Sequence, residues 1–255
     1  MRGLLVRVGI DQTSGGWNAP CRADGSFCYV PIATEAQERF EQGCETAYDE
    51  FEQSCEVFAQ GNGLVFPRRL RELRCHLDPD FNFRFLSYGD SRQKARRIWD
   101  FFDGSRDNFI AFYASFEQIG RPRPLVYAII GLYRFQQVQL ARKVPLKRRK
   151  ENAHTRLADY QRDANEDIVI FADKNRSGDK NRSGRLKSLI IIGEQHNNHQ
   201  YYVKEELLRE WQGISSHNGW IQRSAYLPNF CKPDLFLRWF DARRPDFVCE
   251  NNIEY

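Results

Sequence analysis

Three carboxylates stand where a strand-like apolar run gives way to a polar loop: Asp11 after "LLVRVGI", Asp90 in "SYGD" and Asp173 after "DIVIF". Loops at strand ends are where polar groups converge on a ligand, and three such side chains could hold a divalent cation such as Mg²⁺ for phosphodiester chemistry. Each could equally be an ordinary turn or capping Asp. His154 lies two residues before Arg156 in "ENAHTR", an acid/base beside a phosphate clamp or a polar-loop histidine with no special task. A catalytic reading therefore rests on Asp11, Asp90 and His154. Glu194, His196 and His199 in "EQHNNHQ" match no metal-ligand spacing, and a solvated turn explains them.

Binding chemistry has its own residues. In "DQTSGGWNAP" the adjacent Gly15 and Gly16, with Ser14 and Asn18 beside them, could let backbone N–H groups approach a phosphate or a base, or could simply make a tight turn. The stretch is neither G-x-G-x-x-G nor a P-loop. Tyr88 and Tyr113 could form a wall of a base-stacking pocket, although with 14% aromatic residues most rings must be core. Arg156, Arg176 and Ser177 suit phosphate, and Gln222, Arg223 and Ser224 suit base edges or an interface. Arg176 and Ser177 belong to an exact tandem hexapeptide, "DKNRSGDKNRSG" over 173–184, so either copy could carry their role.

The elements that would position these residues are strand-rich. "LLVRVGI", "GSFCYVPI", "NFRFLSYGD", "DNFIAFYASF", "LVYAIIGLYRFQQV", "DIVIFAD" and "SLIIIG" read as strands, and "SRQKARRIWDFF", "KEELLREW" and "PDLFLRWF" as helices. Thr34 with Gln37 makes a capping-box pattern, and apolar residues then recur at helical spacing, predicting an acidic helical insertion over about 34–60. Strands grouped with a few helices, without regular βα alternation, predict an α+β fold: a mixed, largely antiparallel sheet in a single domain over 1–255.

Charge is uneven along the chain. Net charge is only +4, but residues 34–60 carry eight acidic side chains against one Arg, and residues 142–150 carry six basic and no acidic ones. Such asymmetry can orient a polyanion. Seven cysteines without C-x-x-C, and no apolar run of membrane-spanning length, predict reduced thiols in a cytoplasmic protein with no membrane partner.

Several segments together resemble the nucleotide modification associated domain 3 family. They are "RVGIDQTSGGWNAP", "YGD" with the Arg-rich helix after it, "FIAFYAS" with "VYAIIGLYRF", "ENAHTR", "RSGRLKSLIIIGE" and "GWIQRSAYLP". The resemblance implies association with systems that modify DNA bases, and DNA, a modified nucleotide or proteins of such a system as partners. Residues 99–138 are also similar to the strand pair of PUA-like domains, including the EVE type, which implies a barrel holding a modified base. Two functions stay open: a module that binds a modified base or nucleotide, and a Mg²⁺-dependent hydrolase or group transferase acting on modified DNA. A third is a virus-coded inhibitor or assembly component, with the acidic helix as its partner surface.

Overall fold

The first apolar run becomes strand β1 (Gly3–Arg7), and after the glycine loop the chain returns to the same line as β2 (Ala19–Cys21). The structure, a computed structural model, describes residues 1–13, 15–32, 46–48, 51–52, 66–71, 73–75, 77–120, 125–157, 166–174, 183–195, 200–222, 226–248 and 250–251. Short strands β3 (Thr46–Ala47) and β4 (Arg74–Cys75) pair with each other. There follow β5 (Ser87–Asp90), helix α1 (Arg92–Phe102), the long strands β6 (Asn108–Gln118) and β7 (Leu125–Phe135), and β8 (Gln139–Leu140). Helix α2 (Ala153–Leu157), β9 (Ile168–Phe171), β10 (Gly184–Ile191), β11 (Gly193–Gln195), β12 (Tyr201–Val203), α3 (Glu205–Trp211), α4 (Pro233–Ala242) and β13 (Phe247–Val248) complete the chain.

The fold is α+β, as the sequence predicts. The main sheet runs β1-β6-β7-β10-β13, with β2 pairing β6 beyond β1. β1 and β2 are parallel to β6, and the other pairings are antiparallel. Both faces of this sheet are covered, which is why β6 and β7 read as nearly continuous apolar runs rather than alternating ones. One face packs Ile110, Phe112 and Ala114 against α1 and the three-stranded sheet β5-β9-β8; the other packs Phe109, Ala111 and Tyr113 against α3 and α4. In α1 the apolar positions Ala95, Ile98 and Phe102 are buried while Arg92, Arg96 and Arg97 are exposed, the spacing of a helix with one core face. Pro233 opens α4, where its missing N–H costs nothing.

Two expectations are corrected. The sheet is open and among the described residues no barrel closes: residues 99–138 form the end of α1 and the β6–β7 hairpin, which does not support a PUA-like barrel. "GSFCYVPI" is buried at Phe27–Val30 but makes only an isolated bridge to β2, Cys21 with Phe27, and scattered bonds such as the Cys28 N–H to the Pro20 carbonyl (3.1 Å) and the Ile10 N–H to the Val30 carbonyl (2.9 Å), so it builds no ladder. Of the helix expected over 34–60, residues 46–47 are strand, Tyr48 lies in a turn and 51–52 are helical, and the other residues lie outside the described ones. Among the described residues, Cys21, Cys28 and Cys75 are buried and Cys231 is exposed.

Candidate nucleic-acid interface

His154 sits at the junction of α2 with β5 and β9. Its Nδ1 lies 2.8 Å from Asp167 Oδ2 and its Nε2 3.3 Å from Asp78 Oδ2, with both ion pairs largely buried. Asn152 donates to Asp78 Oδ1 (2.8 Å) and to Ser87 Oγ (3.1 Å), and the Gly89 N–H also donates to Asp78 Oδ1 (2.8 Å). Gly89 is required by this crowding, since a Cβ there would stand 2.3 Å from the His154 ring. Burial works against charge on the imidazole, but the Asp167 and Asp78 carboxylates outweigh it and hold its pKa up at about 10. At neutral pH both ring nitrogens are therefore committed donors, leaving no lone pair for a general base. Beneath this network, Asp80 is pushed up to about 6 by burial, partly offset by hydrogen bonds from Asn251 and the Asn82 N–H.

Asp11 belongs to a different network, on the other side of β6. The register pairs Arg7 with Tyr113 and Ala19 with Phe116, so residues 8–18 bulge out opposite only Ala114 and Ser115. At the root of that bulge Arg7 pairs with Asp11 at 2.8 Å, donates to Ser115 Oγ at 3.3 Å and to the Gln222 carbonyl, and lies over the Tyr127 ring. Ser115 Oγ donates in turn to Asn18 Oδ1 at 3.1 Å. Asp11 Oδ1 also accepts the Thr13 N–H and hydroxyl, both at 2.6 Å. What approaches the glycine loop is the guanidinium of Arg69, which donates to the carbonyls of Gly15 (3.0 Å) and Gly16 (2.9 Å). Gly16 has φ +66° and leaves Arg69 Nη2 only 1.9 Å from where a Cβ would stand.

The sequence-level site residues thus divide. Asp11, Asn18, Tyr113 and Gln222 meet around Arg7, Tyr113 through its hydroxyl on the neighbouring Ile221 carbonyl (2.7 Å). Tyr88 and Asp90 meet at the end of β5, Tyr88 donating to Asp90 Oδ2 at 2.5 Å with Lys94 paired to the same oxygen at 2.8 Å, while His154 belongs to the separate network of Asp78 and Asp167. Tyr88 and Tyr113 are core rings, 2% and 0% exposed, so neither is a wall of an open pocket; burial also raises both phenol pKa values. Arg156 donates to the Lys150 carbonyl through Nε and Nη2 (3.0 and 2.6 Å). Ser14, Arg176, Ser177, Arg223 and Ser224 lie outside the described residues. Among the described residues no three His, Cys, Asp or Glu side chains come together as metal donors.

The open surface lies elsewhere. Around Gln136 and Gln137, in the turn from β7 to β8, two adjoining clefts of about 670 and 420 Å³ share those two residues. Trp99, Phe102 and Arg106 line the first; Gln139, Arg148, Phe171, Asp173 and Lys174 line the second. The Arg148 guanidinium carbon lies over the Phe171 ring, 3.7 Å from its centre, and the guanidinium also pairs with Glu151 at 3.0 Å. Planar guanidinium and aromatic faces with amide side chains are the groups that hold and read a base. The basic segment leads out of the same cleft. Arg142, Lys143, Lys147 and Lys150 are exposed and in no ion pair among the described residues. Sequence reasoning found the basic run and missed the cleft, although "FQQVQ", amides breaking an aromatic strand just before that run, was a usable signal.

Fold and surface define a mixed-sheet α+β domain with a basic, aromatic-lined face. The chain belongs to the nucleotide modification associated domain 3 family, whose model matches residues 2–241. That description ties it to nucleotide modification, and so to nucleic acids or nucleotides. Comparison with curated proteins and with solved structures gives no match. No helix among the described residues is long and apolar enough to cross a membrane.

Proposed function

We propose that the protein binds DNA in base-modification systems, holding a modified base in the Gln136–Gln137 cleft while the basic segment 142–150 contacts phosphates. The observation that carries this reading is that two adjoining clefts share Gln136 and Gln137, with half-buried Trp99 and the cation Arg106 lining one and half-buried Phe171, Gln139, Arg148 and Lys174 lining the other. Rings and amides suit a base; cations suit its phosphate. The enzyme reading needed Asp11, Asp90 and His154 to converge, and they belong to separate hydrogen-bond networks, His154 as a committed double donor.

The test is affinity for short DNA, with and without modified bases, over a range of salt concentrations. Changing Arg142, Lys143, Lys147 and Lys150 together to Gln should weaken binding and flatten the plot of log affinity against log salt by about 0.9 for each phosphate no longer neutralised. Gln137→Ala should reduce the difference between modified and unmodified DNA. A quadruple variant whose salt slope equals that of the parent would end the proposal.

A further inference from the structure

Leu146 is 77% exposed, the most exposed large apolar residue among those described. A lone surface leucine is commonplace. What separates this one is the rigidity of its support. The turn closes with the Arg148 N–H on the Pro145 carbonyl at 2.8 Å, between the buried Ala141 and Val144 on one side and Ala153 on the other. The Arg149 side chain ties back to the carbonyls of Val144 (3.1 Å) and Arg142 (3.4 Å). The folded body then clamps the outgoing chain: Thr155 Oγ1 donates to the Arg149 carbonyl (2.5 Å), Arg156 to that of Lys150, and Ser87 Oγ to that of Glu151 (2.7 Å). Those bonds fix the backbone on which Leu146 stands. It holds an apolar side chain in water amid Lys143, Lys147 and Lys150, and Arg148, two residues on, lines the cleft.

Resting on the nucleic-acid reading above, we propose that Leu146 is a wedge that enters the base stack of a DNA duplex and displaces a base toward the Gln136–Gln137 cleft. The surrounding cations neutralise phosphates on either side of the entry point, and the rigid tip avoids ordering entropy on binding. The wedge exchanges unstacking for burial of the leucine and access of the base to the cleft.

The probe is a short duplex carrying a fluorescent adenine analogue that brightens on leaving the stack, with its single strand as control. The wild-type protein should bind the duplex and brighten it. Leu146→Ala, folded because it truncates a solvated side chain, should abolish the brightening and weaken duplex binding about tenfold, leaving single-strand affinity and the salt slope unchanged. Equal brightening by both proteins, or none by a wild-type protein that binds, overturns the wedge and leaves the nucleic-acid reading standing. Binding to neither DNA removes that reading too. Leu146-dependent binding to vesicles of anionic lipid without duplex binding would assign the tip to a membrane surface and overturn the proposal.

Discussion

His154 stands between two carboxylates, Asp78 and Asp167, with almost no access to water. Its pKa is raised from 6.5 to about 10, so the folded state holds the proton more tightly than the unfolded chain does. The stabilisation is fully present below pH 6.5 and is lost as pH rises toward about 10. Removing the cation leaves two buried carboxylates facing each other's charge, a loss of about 3–5 kcal/mol for a broken buried pair. His154→Gln should show that deficit in denaturant unfolding at neutral pH and a much smaller one near the folded pKa. A deficit of constant size across the range would mean that the imidazole is neutral and its role is steric.

At the scale of elements, the bulge between β1 and β2 is a scaffold whose polar side chains bond one another. Asn18→Ala removes the acceptor of the Ser115 hydroxyl, so it should lower the melting temperature, by about 0.5–1.5 kcal/mol of stability, with DNA affinity unchanged. Weakened DNA binding at an unchanged melting temperature would return the glycine loop to the interface. The elements were legible wherever one periodicity governs them. The spacing of Ala95, Ile98 and Phe102 writes α1 into the sequence, and the unbroken apolar runs of β6 and β7 announce a sheet covered on both faces. "GSFCYVPI" has strand composition, yet a strand also needs a partner ladder, which depends on how the bulge packs. The same limit applies to the site. Gly15 and Gly16 read as a place where backbone N–H groups could approach a phosphate or base; in the structure their carbonyls accept from Arg69, 53 residues from Gly16, and spacing cannot show a contact at that range. Tyr88 and Tyr113 carry the right chemistry for stacking on a base; only the layers on either side of β6 decide that they are core.

For the whole molecule, β9 and β10 join the two sheets, and the hexapeptide repeat lies in the connection between them. Its two ends are anchored on one residue of β7: the Asp173 N–H donates to the Arg134 carbonyl (2.7 Å), and the Arg134 N–H donates to Ser183 Oγ (2.9 Å). Gly184 then pairs with Leu132 as β10 begins. Because the copies are identical, deleting residues 179–184 leaves "DKNRSG" directly before Arg185, so the remaining copy supplies an Asp at the first anchor and a Ser and Gly at the second. The ends are already close, and halving such a connection changes loop-closure free energy by only about 0.6 kcal/mol. The shortened protein should therefore unfold cooperatively within about 1 kcal/mol of the parent and keep its DNA affinity and salt slope. Loss of cooperative unfolding would show that one copy is too short to satisfy both anchors on Arg134.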